Sequence, residues 1–165
     1  MREPKTVTVE LPFPPSLNEY YEPHFIGRRA AVGLSKRAKK YRTDILAELM
    51  TTFGLKSGIG KRDRGMRGDP VDEFGAPLKK GWNALFTCRV AVVIEFHAPT
   101  RATRDLDNYL KGLFDGLTRS NFWQDDSLVD DLRMVRREVV KGGKLVVTVT
   151  EIVKEIGGLF AGTKQ

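Results

Sequence analysis

Residues 104–126, Arg104-Asp-Leu-Asp-Asn-Tyr-Leu-Lys-Gly-Leu-Phe-Asp-Gly-Leu-Thr-Arg-Ser-Asn-Phe-Trp-Gln-Asp-Asp126, hold both a helix and most of the chemistry in this chain. Leu106, Leu110, Leu113, Phe114 and Leu117 recur at helical spacing, which predicts one amphipathic helix. The pattern breaks at Ser120-Asn121. Phe122 and Trp123, read as core residues, then lead into the acidic pair Asp125-Asp126. A second acidic pair, Asp105 and Asp107, precedes the helix with one leucine between them. Lys111 stands four residues after Asp107 and therefore on its face of the helix, whereas Asp115 lies on the helix outside this grouping.

Inside a helix, Asp105 and Asp107 would point roughly 200° apart and could not converge. A chain still extended at Asp105 and helical from about Asp107 would let both side chains point one way. One of Asp125 and Asp126 could then return to the first pair, and three converging carboxylates call for a cation. All-oxygen ligation suits Mg²⁺ or Mn²⁺, not zinc. A second reading stays open on spacing alone, because aspartates before helices also serve as N-caps for free backbone N–H groups.

Outward from this stretch, Phe86, Cys88, Val90, Val92, Ile94 and Phe96 alternate on one face of a strand. Ala91 and Val93 on its other face predict a central strand covered on both sides. Downstream, Arg133–Val140 and Lys144–Val153 read as two strands of a hairpin, turned at Gly142-Gly143. Upstream, Val7, Val9 and Leu11 mark a half-buried strand ended by Pro12, Pro14 and Pro15. The segment around Tyr20, Tyr21 and Gly27 reads as irregular or as a loose hairpin, with the tyrosines packing at the edge of the core.

Ser35 is the expected N-cap of a helix reaching about Thr51, with Ala38, Tyr41, Ile45 and Leu49 as its buried stripe. Its first turns carry Lys36, Arg37, Lys39, Lys40 and Arg42 without one acid among them, either a solvated face or a patch for DNA backbone. Residues 53–82 change composition: between Gly54 and Gly81 there are seven glycines and seven lysines or arginines, which reads as a mobile insertion. The expected fold is α+β, one domain over residues 1–156 with a small mixed β-sheet packed by two main helices, and a frayed tail at 157–165.

Composition narrows the function. A net charge of +7 and a pI near 9.6 favour a polyanionic partner. A single cysteine, Cys88, excludes an internal disulfide and suits a reducing cytoplasm. No signal-like or membrane-length apolar run occurs, and His24 and His97 lack the cysteine partners of a zinc site.

The ordered runs RDLDN, Lys111, FDGLT and FWQDDSLV resemble the signature of the RusA family of Holliday-junction resolvases. LPFPPSLNEYY, YRTDILAEL and KGGKLVVTVTE extend that resemblance over most of the chain, apart from the 53–82 stretch, which is longer here than in the family. The resemblance implies a homodimeric endonuclease, often prophage-encoded, that cuts branched four-way DNA with Mg²⁺, Mn²⁺ being able to substitute, and uses no small-molecule cofactor. It places the catalytic and metal-binding carboxylates on Asp105, Asp107 and Asp126 and the functional lysine on Lys111. Asp125 is the alternative third ligand, and the resemblance favours Asp126. Arg101 and Arg104, with Lys36, Arg37, Lys39, Lys40 and Arg42, are the expected DNA contacts. Two rivals remain: a non-catalytic basic DNA-binding module whose aspartates only cap helices, and a D-x-D enzyme acting on nucleotide sugars. The latter lacks a Gly-rich strand-to-helix cradle.

Overall fold

The computed structural model describes residues 3–55 and 84–153. Most of the 53–82 stretch and all of the 157–165 tail lie outside them. The alternation at Val7, Val9 and Leu11 forms strand β1 (Thr6–Pro12). A single helical turn, α1 (Leu17–Tyr20), follows the prolines and buries Tyr20. The tyrosine-rich segment is then a regular two-stranded ribbon, β2 (Tyr21–Ile26) and β3 (Arg29–Leu34), reversed where Gly27 adopts φ 63°.

Helix α2 (Lys36–Phe53) starts where its cap predicts: Ser35 Oγ accepts from Ala38 N at 3.1 Å, and Ala38, Tyr41, Ile45 and Leu49 are its buried residues. Gly54, at φ 66°, ends it by donating to Met50 O. Strand β4 (Val90–His97) leads through a loop to a 3₁₀ turn at Asp107–Tyr109 and helix α3 (Leu110–Arg119). Asn121 leaves the helix at φ 56°, a left-handed conformation that Asn tolerates. A second 3₁₀ turn, Asp126–Leu128, leads into β5 (Val129–Arg136), and the chain closes with β6 (Lys144–Glu151).

The main sheet has the order β1-β6-β4-β5. β6 runs antiparallel to both β1 and β4, whereas β4 and β5 are parallel, joined by α3 as a crossover. One face is apolar throughout: Val9, Leu11, Val90, Val92, Ile94, Phe96, Leu145, Val147 and Val149 are buried. Above them lie Tyr41, Ile45 and Leu49 of α2, Leu113 and Leu117 of α3, and Phe86, Phe122 and Trp123. Each such side chain contributes about 1.5–3 kcal/mol by leaving water.

Glycine sets how closely α3 can sit on its neighbours. A Cβ at Gly116 would collide with the side chain of Ile45, and one at Gly112 would lie 3.1 Å from the Tyr20 ring. Both glycines weaken the helix by up to about 1 kcal/mol relative to alanine, and they let α3 pack against α1 and α2.

Three expectations are corrected. β5 and β6 are not a hairpin, because β4 lies between them. Gly142 and Gly143 do turn the chain with positive φ, at 88° and 68°. Before that turn, Arg137 N donates to Phe96 O and Val140 N to Ala98 O, carrying the chain past the end of β4 to its other side. The side chains explain the order: β6 buries Leu145, Val147 and Val149, whereas β5 has no buried residue and suits an edge. Second, β4 is central but not covered on both faces, since Val93 is 39% exposed. The outer face nearby carries threonine pairs, with Thr6–Thr150 and Thr8–Thr148 hydroxyls 3.1 and 2.9 Å apart. Third, the strand begins at Val90; Phe86 instead forms an isolated parallel bridge with Trp123. Among the described residues no helix is long and apolar enough to cross a membrane.

Candidate active site

The loop between β4 and α3 is fixed before the aspartates are reached. Arg104 donates to the carbonyls of Thr100 and Ala102 at 2.9 and 2.8 Å and to Thr100 Oγ1 at 2.9 Å. Arg136, at the end of β5, donates to the Arg104 carbonyl, and its guanidinium lies 6.0 Å from the Phe96 ring centre. Sheet and loop thus hold the peptide that immediately precedes Asp105.

Asp105 is non-helical, Leu106 is already in the right-handed helical region, and Asp107 opens the 3₁₀ turn. The two aspartates are therefore not alternate residues of a strand. Both are exposed, and neither carboxylate has a hydrogen-bond or ion-pair partner among the described residues. Neither caps a helix: the residues at the cap positions are Leu106 and Tyr109, and no side-chain cap bond is made at either.

The second acidic pair divides its duties. Asp125 is the N-cap of the 3₁₀ turn Asp126–Leu128, its carboxylate accepting from Ser127 N at 3.2 Å. Asp126 is half-buried, makes no such cap, and its charge acts on Lys111. Lys111, on α3, donates to Asp115 Oδ1 at 2.7 Å. That hydrogen bond holds the ammonium above the usual lysine range; the charges of Asp115, Tyr21 and Asp126 act in the same direction, and partial burial opposes them.

Among the described residues, no three Asp, Glu, His or Cys side chains form a group that could hold a metal. The donor chemistry nonetheless fits a hard divalent cation. Asp105 and Asp107 offer carboxylate oxygens with no partner among the described residues, and Asp126 is a third carboxylate whose charge reaches Lys111.

The expected DNA contacts fall into different surroundings. Arg37 and Arg104 line one groove of about 530 Å³, together with Phe13, Ser16, Pro99 and Tyr109. Arg37 is paired there with Glu19. Lys40 pairs with Asp44 along the helix at 2.6 Å, while Lys36, Lys39 and Arg101 are exposed. Arg42 is turned inward: its side chain is 19% exposed and is bonded to Asp115 and Tyr20. His97 is buried against Glu138.

Sequence reasoning missed the engagement of Asp115. The signal was present, because Lys111 and Asp115 are four residues apart on one helix face. The two further partners, Arg42 and Tyr20, come from α2 and α1, and only the fold brings them there.

Residues 76–150 match the family described as Endodeoxyribonuclease RusA. A crossover junction endodeoxyribonuclease RusA of Escherichia coli O139:H28 is 37% identical over 147 residues, 89% of this chain and 96% of that protein. The proteins of the same name from Escherichia coli K12 and Enterobacteria phage 82 are each 35% identical, over 91% of this chain and 98% of their own. By that likeness along nearly its whole length, the chain belongs to the RusA family of endodeoxyribonucleases.

Proposed function

We propose that this protein resolves four-way DNA junctions, hydrolysing one phosphodiester in each of two symmetry-related strands with the help of Mg²⁺. One observation carries the catalytic reading: the carboxylates of Asp105 and Asp107, just before α3, have no partner among the described residues and cap nothing there. Exposed carboxylates without a structural duty, just ahead of a helix that carries Lys111 in its first turn, suit phosphoryl chemistry better than capping. The non-catalytic rival required caps, and Asp125 is the residue that makes one.

Asp105, Asp107 and Asp126 would hold Mg²⁺, with Mn²⁺ able to substitute, and the metal would supply a more acidic bound water and offset charge on the phosphoryl oxygens. Asp126 is favoured over Asp125 because the latter carboxylate is committed to Ser127 N. Lys111 is a compact point charge that can stabilise negative charge as the phosphodiester breaks. Arg37 and Arg104, which line the groove of about 530 Å³, together with the exposed Lys36, Lys39 and Arg101, would neutralise flanking phosphates. A four-way junction has approximate two-fold symmetry, so paired cuts are most simply made by a homodimer. A DNA substrate and a single cysteine suit the cytoplasm.

The test is Asp107→Asn, which keeps the shape of the side chain and removes its charge. Cleavage of a synthetic four-way junction in Mg²⁺ should fall by at least about 100-fold, since several kcal/mol of transition-state stabilisation is lost. Binding measured without metal should persist or tighten, because a negative charge facing phosphates has gone. Full cutting by this variant would remove Asp107 from the catalytic set.

A further inference from the structure

Asp115 is the one acidic side chain of α3, and its two oxygens serve two different elements. Oδ1 accepts from Lys111 Nζ at 2.7 Å. Oδ2 accepts from the Arg42 guanidinium at 3.0 Å and from the Tyr20 hydroxyl at 3.4 Å. Arg42 also donates through Nε to the Tyr20 oxygen at 2.7 Å, and its guanidinium lies 5.4 Å from the Tyr20 ring centre. Three helices therefore meet at one carboxylate.

Exposure grades outward along the chain of contacts. The Tyr20 residue is buried, the side chains of Arg42 and Asp115 are 19% and 18% exposed, and that of Lys111 is 50% exposed. An exposed i,i+4 pair alone contributes about 0.3–0.5 kcal/mol and leaves a lysine free to wander. Here the acceptor is already fixed by a planar guanidinium and a buried phenol, so the ammonium meets a rigid partner. Only one of its three protons is used by Asp115, leaving two to donate elsewhere.

We propose that Asp115 is a positioning residue for strand cleavage: clamped by Arg42 and Tyr20, it holds the Lys111 ammonium in place for the scissile phosphate. The proposal rests on the reading of Lys111 given above. It assigns Arg42 to aiming that lysine, not to contacting DNA backbone. The charge of Asp126, one of the candidate carboxylates, also acts on the Lys111 ammonium.

A double-mutant cycle tests it on the full chain. Lys111→Ala, Asp115→Asn and the double variant are compared by single-turnover cleavage of a four-way junction in Mg²⁺, by junction binding without metal, and by melting temperature. Asp115→Asn should slow cleavage on the order of 10–100-fold, as loss of an orienting partner does, with binding unchanged. In the Lys111→Ala background the same substitution should slow cleavage no further. Equal slowing in both backgrounds, or cleavage by Asp115→Asn at the wild-type rate, overturns the proposal. Arg42→Lys keeps the charge and loses the fork, and it covers the case of an unfolded Asp115 variant. It should also slow cleavage only when Lys111 is present, and a wild-type rate counts against the clamp. Wild-type cleavage by Lys111→Ala overturns the reading of Lys111 itself, and this inference with it.

Discussion

Asp125 and Asp126 are chemically identical neighbours, yet only the former has a capping duty. The difference is invisible in sequence because it depends on which backbone N–H each carboxylate meets. Tyr41 shows the same limit. Its place on the buried stripe of α2 follows from helical spacing, but its hydroxyl is buried without a hydrogen-bond partner among the described residues, which no periodicity reveals. An unsatisfied buried hydroxyl costs about 1–3 kcal/mol, so Tyr41→Phe should leave stability unchanged or raise it by about 1 kcal/mol at neutral pH. Desolvation pushes the Tyr41 phenol well above its ordinary value, and the nearby Tyr20 adds to this. The folded chain thus keeps this proton when the unfolded chain releases it. The associated stability is complete below the unfolded value of about 10 and is lost as pH rises above it towards the folded one. Denaturant titrations at about pH 8 and about pH 11 should therefore show the advantage of Tyr41→Phe growing at the higher pH. A variant that is less stable than wild type at both would show that the hydroxyl has a partner.

At the scale of elements, local signals are legible in the sequence and long-range pairing is not. Ser35 capping, the Ala38–Tyr41–Ile45–Leu49 stripe and the α3 stripe that follows Asp107 are all short-range patterns, and all appear in the fold. The Gly142-Gly143 reversal was also legible, but which strand lies between the two arms depends on residues nearly 50 positions upstream in β4. β5 gave little help, since none of its residues is buried. The two glycines differ in a way that can be measured. Both have positive φ, but a Cβ at Gly142 meets nothing within 4 Å, whereas at Gly143 it would lie 2.7 Å from the Phe13 ring and 2.9 Å from Pro99 Cδ. Each alanine should cost about 1 kcal/mol in backbone strain. Gly143→Ala should cost roughly 1–3 kcal/mol more through overpacking. Equal melting temperatures for the two variants would contradict this account of the turn.

Across the whole molecule, the +7 charge and the acidic residues around α3 make opposite contributions to one task. Basic side chains on α2 and around Arg104 can hold a polyanion, while the carboxylates of Asp105 and Asp107, which have no partner among the described residues, repel it unless a cation intervenes. Sequence alone supported the aspartates, the lysine and the basic helix as candidates; their specificity for a branched substrate came from family likeness, because no residue pattern encodes a four-way junction. The most direct measurement is incubation of the protein with a synthetic four-way junction and with duplexes of the same arm sequences, with and without Mg²⁺. Paired, symmetric cuts in the junction, dependent on Mg²⁺ and absent from the duplexes, are the predicted result. An uncut junction in the presence of Mg²⁺, or duplex cut as fast as junction, would contradict it.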